Sequence, residues 1–211
     1  MKIINRSLNP ALVEFWYAHV KPGQIGLVHL DFPPAKIINW AERFATPDGK
    51  PSPWAHGFIF LKPRNGVLWL AESDVNIPLP GFRSKPDGPQ ENVIYKWSHP
   101  MIDHAVVLDT GMTESQFDRI ENIAAQLHQA GYTYGITSLL QSGIALAKKD
   151  LAYRARIGTE TSMHCGHFLR ACLMQAGIDP FGEAVLPENT VPALFPMVFP
   201  VIAEWKRPSF R

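Results

Sequence analysis

The chain has 211 residues, 46% of them apolar and 18% charged, a balance that suits a buried core and excludes a disordered chain. Lys and Arg total 20 against 19 Asp and Glu, and a formal net charge of +1 gives no electrostatic reason to expect a nucleic-acid partner. The length fits one domain over residues 1–211, and 19 prolines predict long irregular connections.

Asn9-Pro10 and Glu14 interrupt the apolar character of the first 20 residues, so no signal peptide is apparent. No run is long enough for a transmembrane helix either. The default expectation is a cytoplasmic protein, and leaderless secretion fits the same sequence. Residues 10–20 read as a short helix, 21–24 as a turn, and the near-continuous apolar run 25–30 as a buried strand. A helix over 34–44 and a Pro/Gly-rich loop through 53 follow.

The clearest hairpin joins residues 56–61 to 67–72, both rich in β-branched and aromatic side chains, through the turn-forming stretch 62–66. With the turn centred near Arg64, Leu61 pairs with Val67, Phe58 with Leu70, and His56 with Glu72. Residues 75–89 are dense in Pro and Gly and predict a surface loop; 93–97 and 105–108 predict further strands. A helix over 113–130 has a capping box in Thr113 and Gln116, an apolar face of Phe117, Ile120, Ala124 and Leu127, and a stop at Gly131. A second helix over 136–147 runs into a basic segment, 148–156, which is either a solvated face or a contact for anionic lipid or cell-wall polymer. The third spans 163–176, with Ser162 as N-cap and Gly177 at its end. Residues 191–202 are strongly apolar and broken by prolines, which suits an irregular segment on the core, a wall for an acyl chain or a membrane-touching edge.

Cys165 and Cys172 are the only cysteines. Seven residues apart on one helix, they stand roughly 10 Å apart along its axis and cannot bridge each other, so both read as free thiols. Cys172 suits the ordinary role of a small core residue. Cys165 falls in the first helical turn, where unpaired N–H groups and the positive end of the helix dipole favour thiolate over thiol.

A cross-strand pair has Cβ atoms about 4.5–5.5 Å apart, which lets Glu72 accept a hydrogen bond from one nitrogen of His56 and leaves the other to face a thiol. The same two residues also make an ordinary polar pair at a sheet edge, and a slip of one residue would put them on opposite faces. Zinc is the rival use, with His164, Cys165, His167, His56 and Glu72 all capable ligands. Neither a Cys-x-x-Cys nor a His-Glu-x-x-His spacing supports it.

These pieces, in order, resemble the circularly permuted NlpC/P60 group of papain-like thiol hydrolases, which includes YiiX-like bacterial proteins and lecithin:retinol acyltransferase-like enzymes. The carriers are Pro22-Gly23-Gln24-Ile25, the strand Ala55-His56-Gly57-Phe58-Ile59, the strand end Leu70-Ala71-Glu72, and His164-Cys165-Gly166 at a helix start. Gly131-Tyr132-Thr133-Tyr134-Gly135 and residues 186–194 are similar to further landmarks. Gln24 replaces the usual Asp, and Met163 and Gly166 stand where an aromatic residue and a serine are frequent. The resemblance implies an α+β, permuted papain-like fold with a small antiparallel sheet packed against the cysteine helix. It implies Cys165 as nucleophile, His56 as base, Glu72 as its orienter, and no cofactor. The expected substrate is a lipid-like ester or amide, with a peptidoglycan peptide amide as the alternative and a binding module that has lost turnover as the second. Peripheral membrane or cell-wall contact fits the first two; the oligomeric state is left open.

Overall fold

Strand β1 (Ile25–Leu30) is apolar at nearly every position because it is covered on both faces and paired on both edges, with β2 (His56–Phe60) on one side and β5 (Ile102–Leu108) on the other. The computed structural model describes residues 8–30, 39–40, 42–46, 48–75, 87–154 and 161–208, the side chains of 136–139 excepted. With β3 (Trp69–Asp74), β4 (Gly88–Val93) and β6 (Val201–Lys206) the strands form one six-stranded antiparallel sheet in the order β4-β3-β2-β1-β5-β6. The class is α+β.

Strand alternation divides the core in two. Ile25, Leu27, Ile59, Ala71 and Val106 face one layer, which contains α2 (Glu114–Asp118), α3 (Ile123–Gln129) and α5 (Cys165–Gln175). Val28, Phe58, Phe60, Leu70 and Val107 face the other, where α1 (Pro10–His19) and a 3-10 helix (Ile94–Ser98) lie. Helix α4 (Ile136–Ala147) and the short α6 (Phe195–Val198) complete the chain, and Leu146, Val185, Val191, Ala193 and Leu194 form a third, smaller cluster. The buried guanidinium of Arg170 ties α5 to this last region by donating to the carbonyls of Val185 and Gly182 and by pairing with Asp179.

The expected α1, β1 and α4 agree with the observed elements within a residue. Elsewhere the physics differs from the expectation. The hairpin turns at Asn65-Gly66, both at positive φ (53° and 74°), between reciprocal backbone bonds of Arg64 and Val67. That centre lies beyond Arg64, so Ile59 opposes Ala71 and Phe60 opposes Leu70. The register is displaced by two residues: Phe58, not His56, falls opposite Glu72. Because side chains alternate with period two, His56 and Glu72 still share a face as diagonal neighbours.

Of the strand expected over 93–97, Val93 ends β4 and residues 94–97 do not continue it. They wind into the 3-10 helix, which kinks at Trp97; Ile94 and Trp97 are both buried in the core, and Trp16 Nε1–H donates to the Trp97 carbonyl at 3.1 Å. The helix expected over 113–130 keeps its capping box but breaks between α2 and α3. There the bonds run Ile120 to Phe117 and Ile123 to Ile120, so every third residue is buried. The stretch 191–202 ends in β6, an edge strand with Val201 and Ile202 about half exposed. Of the expected helix over 34–44, residues 34–38 and 41 lie outside the described residues, and Glu42–Phe44 is a single 3-10 turn. Residues 76–86 of the expected loop and 155–156 of the basic segment also lie outside them.

Candidate active site

Cys165 is the first residue of α5, two positions later than the expected helix start, and the cap is His164 rather than Ser162. His164 Nδ1 accepts the N–H of His167, which satisfies one of the donors a helix start leaves open. Its Nε2 lies 2.9 Å from Ser142 Oγ and 3.1 Å from the Glu188 carbonyl, while Ser142 Oγ donates to that same carbonyl at 2.7 Å. A carbonyl only accepts, so Nε2 carries the proton and Nδ1 the lone pair. On the upstream side, Ser73 of β3 donates to the Met163 carbonyl at 2.6 Å, and Met163 N–H donates to Thr133. Gly166 is pressed onto the backbone of the next wall: a Cβ there would stand 2.1 Å from the Thr190 carbonyl oxygen.

His56 opens β2. Its Nε2 is 2.8 Å from Glu72 Oε2, its ring stacks on Trp97 with centroids 4.4 Å apart, and it lies close enough to the Cys165 thiol for each to shift the other's titration. Glu72 is wholly buried and meets four donors: His56 Nε2 and Trp97 Nε1 on Oε2, and Asn92 Nδ2 and Lys96 Nζ on Oε1. Lys96 also pairs with Asp74 at 2.6 Å, and Asp74 Oδ1 stands 4.0 Å from His56 Nδ1. Two carboxylates and one ammonium therefore lie around one imidazole.

Burial raises the Cys165 thiol, but the neighbouring His164 and His56 side chains outweigh it and bring it down to about 7. Burial lowers His56, while Asp74, Cys165 and Glu72 together lift it to about 10. The thiolate–imidazolium pair is thereby favoured near neutral pH. Burial would push Glu72 up; Lys96 and His56 hold it well below the usual carboxylate range. Cys172 has no such partners among the described residues, and burial drives its thiol far above the ordinary value. His167, half-buried and beside Arg170, falls to about 4.

The structure brings Cys165, His56 and Glu72 together: His56 is hydrogen-bonded to Glu72, and its imidazole lies beside the Cys165 thiol. The five residues weighed as zinc ligands do not converge, since His164 commits both ring nitrogens to its cap and to Ser142. Among the described residues, the metal-capable group that does form is His56, Glu72 and Asp74, and Lys96 already supplies a cation to both of its carboxylates. Sequence reasoning missed Asp74, Asn92, Lys96 and Trp97. Asp74 was accessible to it, standing two residues after Glu72 and so on the same face. Lys96 and Trp97 were hidden behind the strand reading of 93–97. No protein-family model matches the chain, and no curated protein matches it significantly.

Proposed function

We propose that the protein is a thiol acyl hydrolase or acyltransferase that works through a thioester on Cys165, with the permuted NlpC/P60 arrangement as its architecture. The buried cluster of Cys165, His56 and Glu72, with His56 hydrogen-bonded to and charge-paired with Glu72, is the observation that carries this reading. The Cys165 thiolate attacks an acyl carbonyl carbon, and the electron pair moves to the carbonyl oxygen. The first-turn N–H groups of Cys165 and Gly166, which helix geometry leaves without intrahelical acceptors, face the developing oxyanion. Collapse expels the leaving alcohol or amine, which takes its proton from the His56 imidazolium. Neutral His56 then removes a proton from water or an acceptor alcohol or amine, which attacks the thioester and releases the acyl group. Glu72 keeps the imidazole's Nε2–H engaged throughout and balances its charge. Asp74 and Lys96 surround the reacting ring as positioning residues.

Mass spectrometry of wild type and Cys165→Ala, each incubated with diacyl phospholipids and with peptidoglycan fragments, tests the reading. Cys165-dependent release of fatty acid is the expected result. Release of peptide fragments instead keeps the thioester chemistry and changes the donor. Equal turnover by the alanine variant overturns Cys165 as nucleophile.

A further inference from the structure

A cavity of about 740 Å³ opens beside the small third cluster and does not include Cys165 among its lining residues. Its volume falls within the range of roughly 300–1,000 Å³ that suits a small organic ligand. Leu146, Leu151, Phe181, Val185 and Leu194 supply apolar lining. Phe44, Met197 and Val198 also line it while remaining partly exposed, with Met197 at 54%. An apolar chamber with apolar side chains still wet at the surface has unmet demand for hydrocarbon.

Its charge is one-sided. Arg43 and Lys149 line it, and among the described residues no acidic one does and neither cation is paired with a carboxylate. Arg43 is held in place by aromatic rings, its guanidinium carbon 4.0 Å from the Trp40 centroid and 4.7 Å from that of Phe44. That stacking leaves the in-plane N–H groups free to meet an anion. The wall is shared with the candidate active site: Gly166, next to Cys165, packs on Thr190 and Val191, and the same segment continues to Leu194 in the lining.

We propose that this cavity binds the hydrocarbon chain of an anion-headed amphiphile, with Arg43 and Lys149 receiving the head group. The occupant is a single long chain ending in a carboxylate or phosphate. Identifying that chain as the acyl group transferred at Cys165 rests on the thioester reading; the binding itself does not.

Binding is measured on the full-length Cys165→Ala protein by calorimetry, using dodecanoate, dodecyl phosphate and dodecanol below their aggregation concentrations. Saturable 1:1 binding of the two anions is expected, with dodecanol at least 10-fold weaker. Removing methylenes from the anion weakens it by about 4-fold each. Preference between carboxylate and phosphate identifies the head group. Arg43→Gln with Lys149→Gln removes the preference for the anion over the alcohol. Leu194→Trp, which fills the chamber, abolishes binding of all three; Val198→Trp does the same at the partly exposed rim, where folding is less at risk. Absence of saturable binding to folded protein overturns the proposal, as does binding that survives both tryptophan variants. If wild type cleaves an acyl donor while Cys165→Ala binds no amphiphile, the cavity assignment fails alone. Amphiphile binding without Cys165-dependent turnover of any donor overturns the thioester reading and leaves the cavity assignment standing.

Discussion

Glu72 and Glu42 are equally sealed from water, at 0% and 2% exposure, yet they hold opposite charge states. Glu72 sits among four donors, one an ammonium and one an imidazole, and remains ionised far below the usual range. Glu42, in the turn that faces residues 192–194, accepts the Ala193 N–H at 3.2 Å and is lowered slightly by Ser52, but meets no cation among the described residues. Burial therefore wins, and its carboxyl rises to about 8, neutral at physiological pH. Depth alone does not set the charge of a buried acid; the donors around it do. One region is built to keep charge and the other to exclude it.

The largest effect should come from Glu72→Ala, which strips a shared acceptor from His56, Asn92, Lys96 and Trp97 at once. Loss of one member of a buried ionic network typically costs about 3–5 kcal/mol, and urea unfolding of the variant should show a loss of that order. Unchanged stability would mean that the four donors find other partners.

Lys96→Met is the sharper probe, because it removes the cation that offsets two carboxylates beside His56. Taking away positive charge favours protonated forms, so the midpoint for alkylation of Cys165 should move upward from its value near 7, by on the order of one pKa unit. Lys96→Arg should hold the midpoint near 7. Cys172 serves as the internal control and should not label in either folded variant. A folded Lys96→Met with an unmoved midpoint would reduce Lys96 to a packing role.

Glu42→Gln should act with the opposite sign, and only as the pH rises. A carboxyl at about 8 when folded and near 4.5 when unfolded contributes stability that is complete below 4.5 and is lost as pH rises towards 8. The glutamine variant keeps an acceptor for the Ala193 N–H and has no proton to lose. Its melting temperature should match wild type near pH 5 and exceed it near pH 8.5. Equal pH profiles would place Glu42 in contact with water or a cation.

Much of this contrast was legible in the amino-acid order, though unevenly. His56 and Glu72 were found through strand alternation, and the two-residue error in register left them on the same face. The Asn65-Gly66 pair carried the information needed to centre the turn correctly. Cys165 was visible as a thiol at a helix start; its cap was not, because histidine rarely takes that position and Ser162 looked the better candidate. Lys96 reaches Glu72 only after residues 94–98 coil, a tertiary choice made by the buried Ile94 and Trp97 rather than by local propensity. Glu42 reads in sequence as one more charged residue, since nothing local announces that Ala193, far along the chain, will close over it.

The close seating of Gly166 against Thr190 and Val191 couples two stretches of chain that are distant in sequence. Any residue with a side chain at position 166 would have to displace either the first turn that carries the thiol or the strip of backbone that separates it from the cavity. Changes at 166 and changes in the path of residues 190–194 are thus expected to travel together. Glycine directly after the cysteine becomes a readable tag for chains that share this partition, and a serine there would mark chains whose chamber is shaped differently.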